Sequence, residues 1–103
     1  MRRQRPRYPL GRIKAEFADT ARLNRTISAA EGARALGMDE EAVIDLIARL
    51  TAQDFDKSMS SDLDPAVRQD VYKPIVEGRE VYVKFTRDQQ GGLLLISFKE
   101  NDE

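Results

Sequence analysis

Glu80-Val81-Tyr82-Val83-Lys84-Phe85-Thr86-Arg87 is the stretch that decides the fold, because polar and apolar side chains alternate along it. Successive side chains of a β-strand point to opposite faces, so this alternation predicts a strand with one buried face and one polar face. We expect Val81, Val83 and Phe85 on the core side, and Tyr82, Lys84 and Thr86 on the other side. The stretch therefore predicts a sheet whose second face can carry functional groups.

Three further stretches around it read as strands. Residues 69–76 come before it and are joined to it by a short turn at Gly78. Residues 54–59 come earlier in the chain, and residues 93–99 follow a turn at Gln89-Gln90-Gly91-Gly92. Short connections between consecutive strands favour antiparallel pairing.

The first half of the chain has helical periodicity instead. Leu10, Ile13, Phe17 and Ala21 recur at the spacing of a helix over residues 10–22, and residues 24–27 read as a short extended link. Two more helices are expected from their ends. A capping box at Ser28 and Glu31 begins the second helix, and Gly37 ends it. Asp39 is the N-cap residue of the third helix. Helices followed by antiparallel strands predict an α+β domain, with the N-terminal helices packed on one face of a mostly antiparallel sheet.

Length and composition limit the classes of function. A chain of 103 residues predicts one domain over 1–103, and no apolar run has the length of a membrane span or a signal core, so we expect a cytoplasmic protein. The chain has no His and no Cys, which excludes thiol nucleophiles, Ser-His-Asp triads and the usual zinc sites. We therefore expect no cofactor and no metal, with any catalysis carried by Lys, Arg, Tyr, Gln, carboxylates or hydroxyls.

Charge is distributed unevenly although the net charge is -1. Residues 1–25 contain eight basic and two acidic residues, whereas residues 26–70 contain four basic and ten acidic ones. Residues 1–8 form a basic arm, predicted to be flexible, with Arg2, Arg3, Arg5 and Arg7 available to an acidic partner. An arginine-rich terminus without a specific role is the alternative interpretation of this arm.

Strand alternation places a group of polar side chains on the face opposite the core. The set is Lys57, Gln69, Lys73, Tyr82, Lys84 and Lys99. The same alternation places Phe55 and Met59 beside Lys57, and Leu95 and Ser97 beside Lys99. Alternation alone does not establish that the four strands present these sides together, and an ordinary solvated sheet surface is the alternative.

Such a group suits one reaction in particular, the cleavage of RNA by its own 2′-OH. That reaction needs a base at the 2′-OH, an acid at the leaving 5′-oxygen and donors for the phosphate. Lysine and tyrosine can fill these roles when neighbouring cations depress their pKa values.

Four blocks of this sequence form a recognisable set: residues 54–59 (Asp-Phe-Asp-Lys-Ser-Met), residues 69–74 (Gln-Asp-Val-Tyr-Lys-Pro), residues 81–84 (Val-Tyr-Val-Lys) and residues 96–100 (Ile-Ser-Phe-Lys-Glu). Together they resemble the MqsR family of toxins. The order and the gaps of the blocks also resemble the family. Asp56 stands where the family often has Tyr, and Lys73 stands in for a more typical Arg.

The resemblance implies a RelE-like α+β fold and a sequence-selective messenger RNA interferase that cuts GCN-like triplets. It implies Lys57, Gln69 and Tyr82 as catalytic residues, with Met59, Lys73 and Lys99 in support. Lys84 shares the face but matches no main catalytic position, so we expect it to bind RNA or support the site. The partners implied are single-stranded mRNA and a cognate MqsA-type antitoxin, through which alone the toxin would reach DNA.

Two other functions remain open on the sequence alone. Residues 33–39 followed by a helix have the form of a helix-turn-helix DNA-binding module, but carboxylates on the second helix would oppose binding to phosphates. A non-catalytic interaction protein, with a sheet that only docks a partner, is the other alternative.

Overall fold

The computed structural model describes residues 4–102, and within that range three α-helices precede five β-strands. The helices are α1 (Leu10–Glu16), α2 (Ile27–Ala35) and α3 (Glu40–Ala48). The strands are β1 (Phe55–Ser60), β2 (Arg68–Tyr72), β3 (Ile75–Val76), β4 (Arg79–Arg87) and β5 (Leu93–Glu100). The predicted α+β class is confirmed. None of the helices in the described range is long and apolar enough to cross a membrane.

The first helix is shorter than predicted. It ends at Glu16 instead of continuing to residue 22, and residues Thr20–Arg22 form a separate 3₁₀ turn. Asp19 takes extended backbone angles between the two, which breaks the helical hydrogen bonds. Ile13 and Phe17 nevertheless lie in the core as the periodicity predicts.

The second helix begins earlier than predicted, so the capping box at Ser28 is wrong. Thr26 is the N-cap residue, and its hydroxyl accepts a hydrogen bond from the Ala29 amide at 3.1 Å. The Thr26 amide donates to the Leu95 carbonyl, which fixes the chain at β5 immediately before the helix. The stop at Gly37, which has φ +75°, and the N-cap at Asp39 are as predicted.

β4 is the central strand of the sheet, and every strand pair is antiparallel in the described residues. One side of β4 pairs with β2 and β3, and the other side pairs with β5. β1 pairs with β2 at the edge. The predicted strand over 69–76 is split, because Pro74 has no amide hydrogen to donate to a ladder.

The core lies between the helices and one face of the sheet. Val81, Val83 and Phe85 are each at most 1 % exposed, as the alternation of β4 predicts. α2 packs on β5 at Gly32, where the backbone approaches the Phe98 carbonyl too closely to leave room for a Cβ.

Two irregularities in the register overturn part of the predicted alternation. Phe55 lies opposite Tyr72 in the core, whereas Lys57 lies opposite Val71 on the other face, so an extra residue between them reverses the side. Leu95 lies in the core, whereas Ser97 lies opposite Lys84, with Ile96 as the extra residue. The predictions that Phe55 shares a face with Lys57, and Leu95 with Lys99, are therefore wrong. A β-bulge shifts later side chains by one position.

The described part of the basic arm, residues 4–8, lies against the sheet. The backbone amides of Arg7 and Tyr8 donate to the carboxylate of Asp70, at 3.0 and 2.8 Å. The Gln4 side chain bonds both the amide and the carbonyl of Ser58 on β1. Arg5 and Arg7 have exposed side chains. Arg2 and Arg3, the other two residues predicted to contact an acidic partner, lie outside the described residues.

Candidate active site

The face opposite the core carries a row of residues that crosses four strands. Lys57 on β1 lies opposite Val71 on β2, Val71 lies opposite Lys84 on β4, and Lys84 lies opposite Ser97 on β5. Residues directly opposite each other in antiparallel strands point to the same face, with Cβ atoms about 4.5–5.5 Å apart. The register therefore brings together two lysines that are 27 residues apart in the sequence.

Val71 sits between the two lysines and is completely buried, although it faces away from the main core. Its side chain gives the row an apolar base, beside which the lysine stems can pack while their ammonium groups stay near the surface. Lys57 is exposed and Lys84 is half-buried.

A second row joins Tyr82 to Lys99, which lie directly opposite each other. The ammonium nitrogens of Lys99 and Lys84 are 5.5 and 5.7 Å from the centre of the Tyr82 ring. Both distances fall within the range of a cation–π contact. The half-buried tyrosine thus lies between two cations on the same face.

The third row places Met59 on β1 opposite Gln69 on β2. Both are half-buried. Gln69 lies two residues before Val71 on the same side of β2, so its amide stands next to the lysine row. It is a neutral group that can both donate and accept hydrogen bonds.

Lys73 differs from the other predicted site residues. It follows the end of β2, and its ammonium nitrogen is 3.4 Å from the Asp56 carboxylate. Two of the positions at which this sequence departs from the resembled family, Asp56 and Lys73, thus contact each other. An ion pair here takes up charge that Lys73 would otherwise offer to a phosphate.

On this face, the neighbouring charges and burial alter the pKa of Lys84. Burial lowers the pKa of its ammonium group, and the charges of Lys99 and Lys57 lower that pKa further. Asp62, in the loop between β1 and β2, acts in the opposite direction. Sequence reasoning missed Asp62, because nothing in strand alternation relates a loop residue to this face.

Asp70 is a second residue that sequence reasoning missed. It is fully buried on the core face of β2, opposite Phe85, where its carboxylate holds residues 7 and 8. An Asp between Gln69 and Val71 gives no such signal by itself. Its role is to fix the chain at the strand that carries Gln69.

Other features of the described residues lie apart from this face. A groove of about 700 Å³ lies between residues 36–54, which include α3, and residues 74–79, which include β3, and none of its lining residues belongs to the predicted site. Within residues 4–102, no three His, Cys, Asp or Glu side chains come together as a metal site. The helix-turn-helix-like pair does form, but Glu40, Glu41 and Asp45 are exposed on its second helix.

Comparison with known proteins points to one family. Residues 5–100 match the family described as "Motility quorum-sensing regulator, toxin of MqsA". The "mRNA interferase toxin MqsR" of Escherichia coli (strain K12) is 33% identical over 100 residues, which cover 97% of this chain and 99% of that relative.

Proposed function

This chain belongs to the MqsR family of toxins, and we propose that it is an endoribonuclease that cuts single-stranded mRNA in the cytoplasm and so arrests growth. The observation that carries the proposal is the row from Lys57 through Val71 and Lys84, with Tyr82 and Lys99 beside it. Amines, a phenol and an amide on one open face are the groups that cleavage by the 2′-OH requires.

The roles follow from the properties of each group. Lys57 is exposed on the edge strand, so its ammonium can reach the reacting 2′-OH or neutralise the phosphate beside it. Tyr82, next to two ammonium groups, donates a proton to the leaving oxygen or binds the phosphate. Gln69 orients the phosphate through neutral hydrogen bonds. Met59 and Lys99 flank these groups in the register.

The reaction proposed needs no metal, because the general acid, the general base and the phosphate ligands are all side chains. The experiment is cleavage of a single-stranded RNA by the purified protein in excess EDTA. Cleavage should persist in EDTA. Activity that disappears with the chelator and returns with magnesium would contradict the 2′-OH mechanism.

The substrate proposed is an unpaired stretch containing a GCN-like triplet, as in the family. The major groove of an A-form duplex is closed to side chains, so the bases must be unstacked before they can be recognised. The same RNA annealed to its complement should therefore resist cleavage. Equal rates on single strand and duplex would show that the sequence is not recognised in this way.

The partner proposed is a cognate MqsA-type antitoxin, and DNA would be reached only through it. An enzyme that cuts the cell's own messages must be neutralised, and the exposed Arg5 and Arg7 offer cationic contacts to an acidic protein. Expression of the chain alone should stop growth, and co-expression of the adjacent gene should restore it. Normal growth with abundant, active protein would contradict this pairing.

A further inference from the structure

Lys84 occupies the central position of the candidate site. It is on the central strand β4, directly opposite Val71 on one side and Ser97 on the other. Its ammonium nitrogen lies 5.7 Å from the ring centre of Tyr82, the residue two positions before it on the same face. Beyond these two direct partners, Lys57 follows Val71 in the same row, and Lys99 lies opposite Tyr82 in the adjacent row.

The charged and titratable groups that face Lys84 are Lys57 on β1, Lys99 on β5, Tyr82 on β4 and Asp62 in the loop before β2. Burial is the largest influence and lowers the pKa of this lysine, and the two neighbouring lysines lower it further. A lowered pKa increases the fraction of neutral amine near neutral pH, and only the neutral amine can accept a proton.

We propose that Lys84 is a further catalytic residue, the general base that accepts the proton of the attacking 2′-OH; this rests on the proposed function. As the proton moves to the Lys84 amine, the 2′-oxygen forms a bond to phosphorus and the bond from phosphorus to the 5′-oxygen breaks. The leaving oxygen takes a proton from Tyr82. The products are a 2′,3′-cyclic phosphate and a 5′-hydroxyl. Lys84 then releases its extra proton to water, and Tyr82 takes one up from water.

This assignment also separates the lysines by task. Lys57 is exposed on an edge strand, and its position suits contact with the phosphate rather than a desolvated base. Lys99 is exposed, and its ammonium group lies over the Tyr82 ring. Lys84 is the half-buried lysine among these three.

The test compares Lys84→Arg with the parent in single-turnover cleavage over a range of pH, with thermal melts of both. Arginine keeps the positive charge but cannot give up its proton in a protein. We expect the cleavage rate of Lys84→Arg to fall by about 10²–10⁴-fold. The variant should still bind a 2′-deoxy analogue of the substrate with an affinity within a few-fold of that of the parent protein. The parent rate should rise with pH to a plateau, and this rise should be absent in Lys84→Arg. Lys14→Arg, on α1, is the matched control.

A second substrate distinguishes a base from an acid. RNA with sulfur in place of the bridging 5′-oxygen has a leaving group that needs no proton, so Lys84→Arg should remain impaired on it, while Tyr82→Phe should recover. Lys84→Ala, tested in the same way, should behave like the arginine variant. Recovery of Lys84→Arg on the sulfur substrate would overturn the assignment as base.

The outcomes also separate this inference from the proposed function. If the parent cuts RNA and Lys84→Arg cuts it at the same rate with the same pH profile, the assignment of Lys84 alone is overturned. If the folded parent cuts no RNA, the proposed function fails, and the assignment of Lys84 fails with it.

Discussion

Gly32 of α2 lies so close to Phe98 of β5 that a Cβ added to the glycine would overlap the Phe98 carbonyl oxygen. Neither the helix backbone nor the strand backbone can yield without breaking its own hydrogen bonds. Gly32→Ala should therefore lower the free energy of unfolding by about 3 kcal/mol or more, through forced separation of α2 from the sheet.

Gly11 provides the matched control for this change. It lies in α1, where an added Cβ would meet nothing within 4 Å. Gly11→Ala should raise the free energy of unfolding by roughly 0.5–1 kcal/mol, because alanine loses less backbone entropy in a helix. Urea unfolding of both variants measures the difference. Equal stability of the two variants would contradict the close contact at Phe98.

Replacing the proposed catalytic side chains should remove activity but not folding. Lys57→Ala, Gln69→Ala and Tyr82→Phe should each reduce single-turnover cleavage by about 10²–10⁴-fold. They lie outside the core cluster, so the free energy of unfolding should change by about 0.5 kcal/mol or less. Lys14→Ala should cut at the parent rate. Parent rates in Lys57→Ala and Tyr82→Phe would show that the site is elsewhere.

Asp70→Ala should release the segment that precedes α1. The buried carboxylate accepts hydrogen bonds from the amides of Arg7 and Tyr8, and removal leaves both donors without their acceptor. We expect the free energy of unfolding to fall by about 2–4 kcal/mol, because hydrogen bonds to a charged group contribute about 1.5–3 kcal/mol each. Trypsin should also cleave after Arg7 faster than in the parent.

Tyr8→Phe is the control for this change. It removes the hydrogen bond from the Tyr8 hydroxyl to the Arg68 carbonyl and leaves the Asp70 contacts intact. This variant should lower the free energy of unfolding by about 1 kcal/mol. Trypsin should cleave it after Arg7 no faster than it cleaves the parent. An Asp70→Ala protein that is as stable as the parent would show that the carboxylate does not hold the segment.

Glu16 should make stability depend on pH in the acid range. A hydrogen bond from the Leu93 amide lowers the pKa of its carboxyl below 4.5, burial opposes this, and Arg12 lowers the pKa further. A lowered folded-state pKa stabilises the protein above the unfolded value, and that stabilisation is lost as pH falls through the folded value. Glu16→Gln should therefore be less stable than the parent at neutral pH.

The difference between Glu16→Gln and the parent should shrink as the pH is lowered below 4.5, as measured by urea midpoints in a pH series. Glu31→Gln, an exposed change on α2, should follow the parent throughout. A difference that stays constant with pH would mean that the charge of Glu16 is not involved.

Much of the fold could be predicted because period and burial agree. In β4, Val81, Val83 and Phe85 are buried and Tyr82 and Lys84 are half-buried, as the alternation predicts, and the pattern ends at Thr86, which is also buried. The errors have local physical causes. Thr26 caps α2 because its own amide is bonded to Leu95, a contact between segments 69 residues apart that no local capping pattern contains.

The side chains proposed for the site lie on one face, although two of the strands that carry them are less regular than the alternation predicts. Lys57 and Lys99 share one face in the register, but Phe55 and Leu95 on the same strands do not. A bulge is decided by long-range pairing, so simple alternation fails on the far side of it. Lys84 was expected only to bind RNA or support the site, because its burial and its neighbours are visible only after the four strands are assembled.

The single register shared by the core and the open face has a consequence for defective copies of the protein. A slip of one residue in β4 would turn Tyr82 and Lys84 inward and Val83 and Phe85 outward, so the charges would enter the core. Such a copy would lose its apolar packing together with its chemistry. Copies of this chain in the cell would therefore be either folded and active, or unfolded and degraded by proteases. A stable copy with the wrong residues on its surface would be rare.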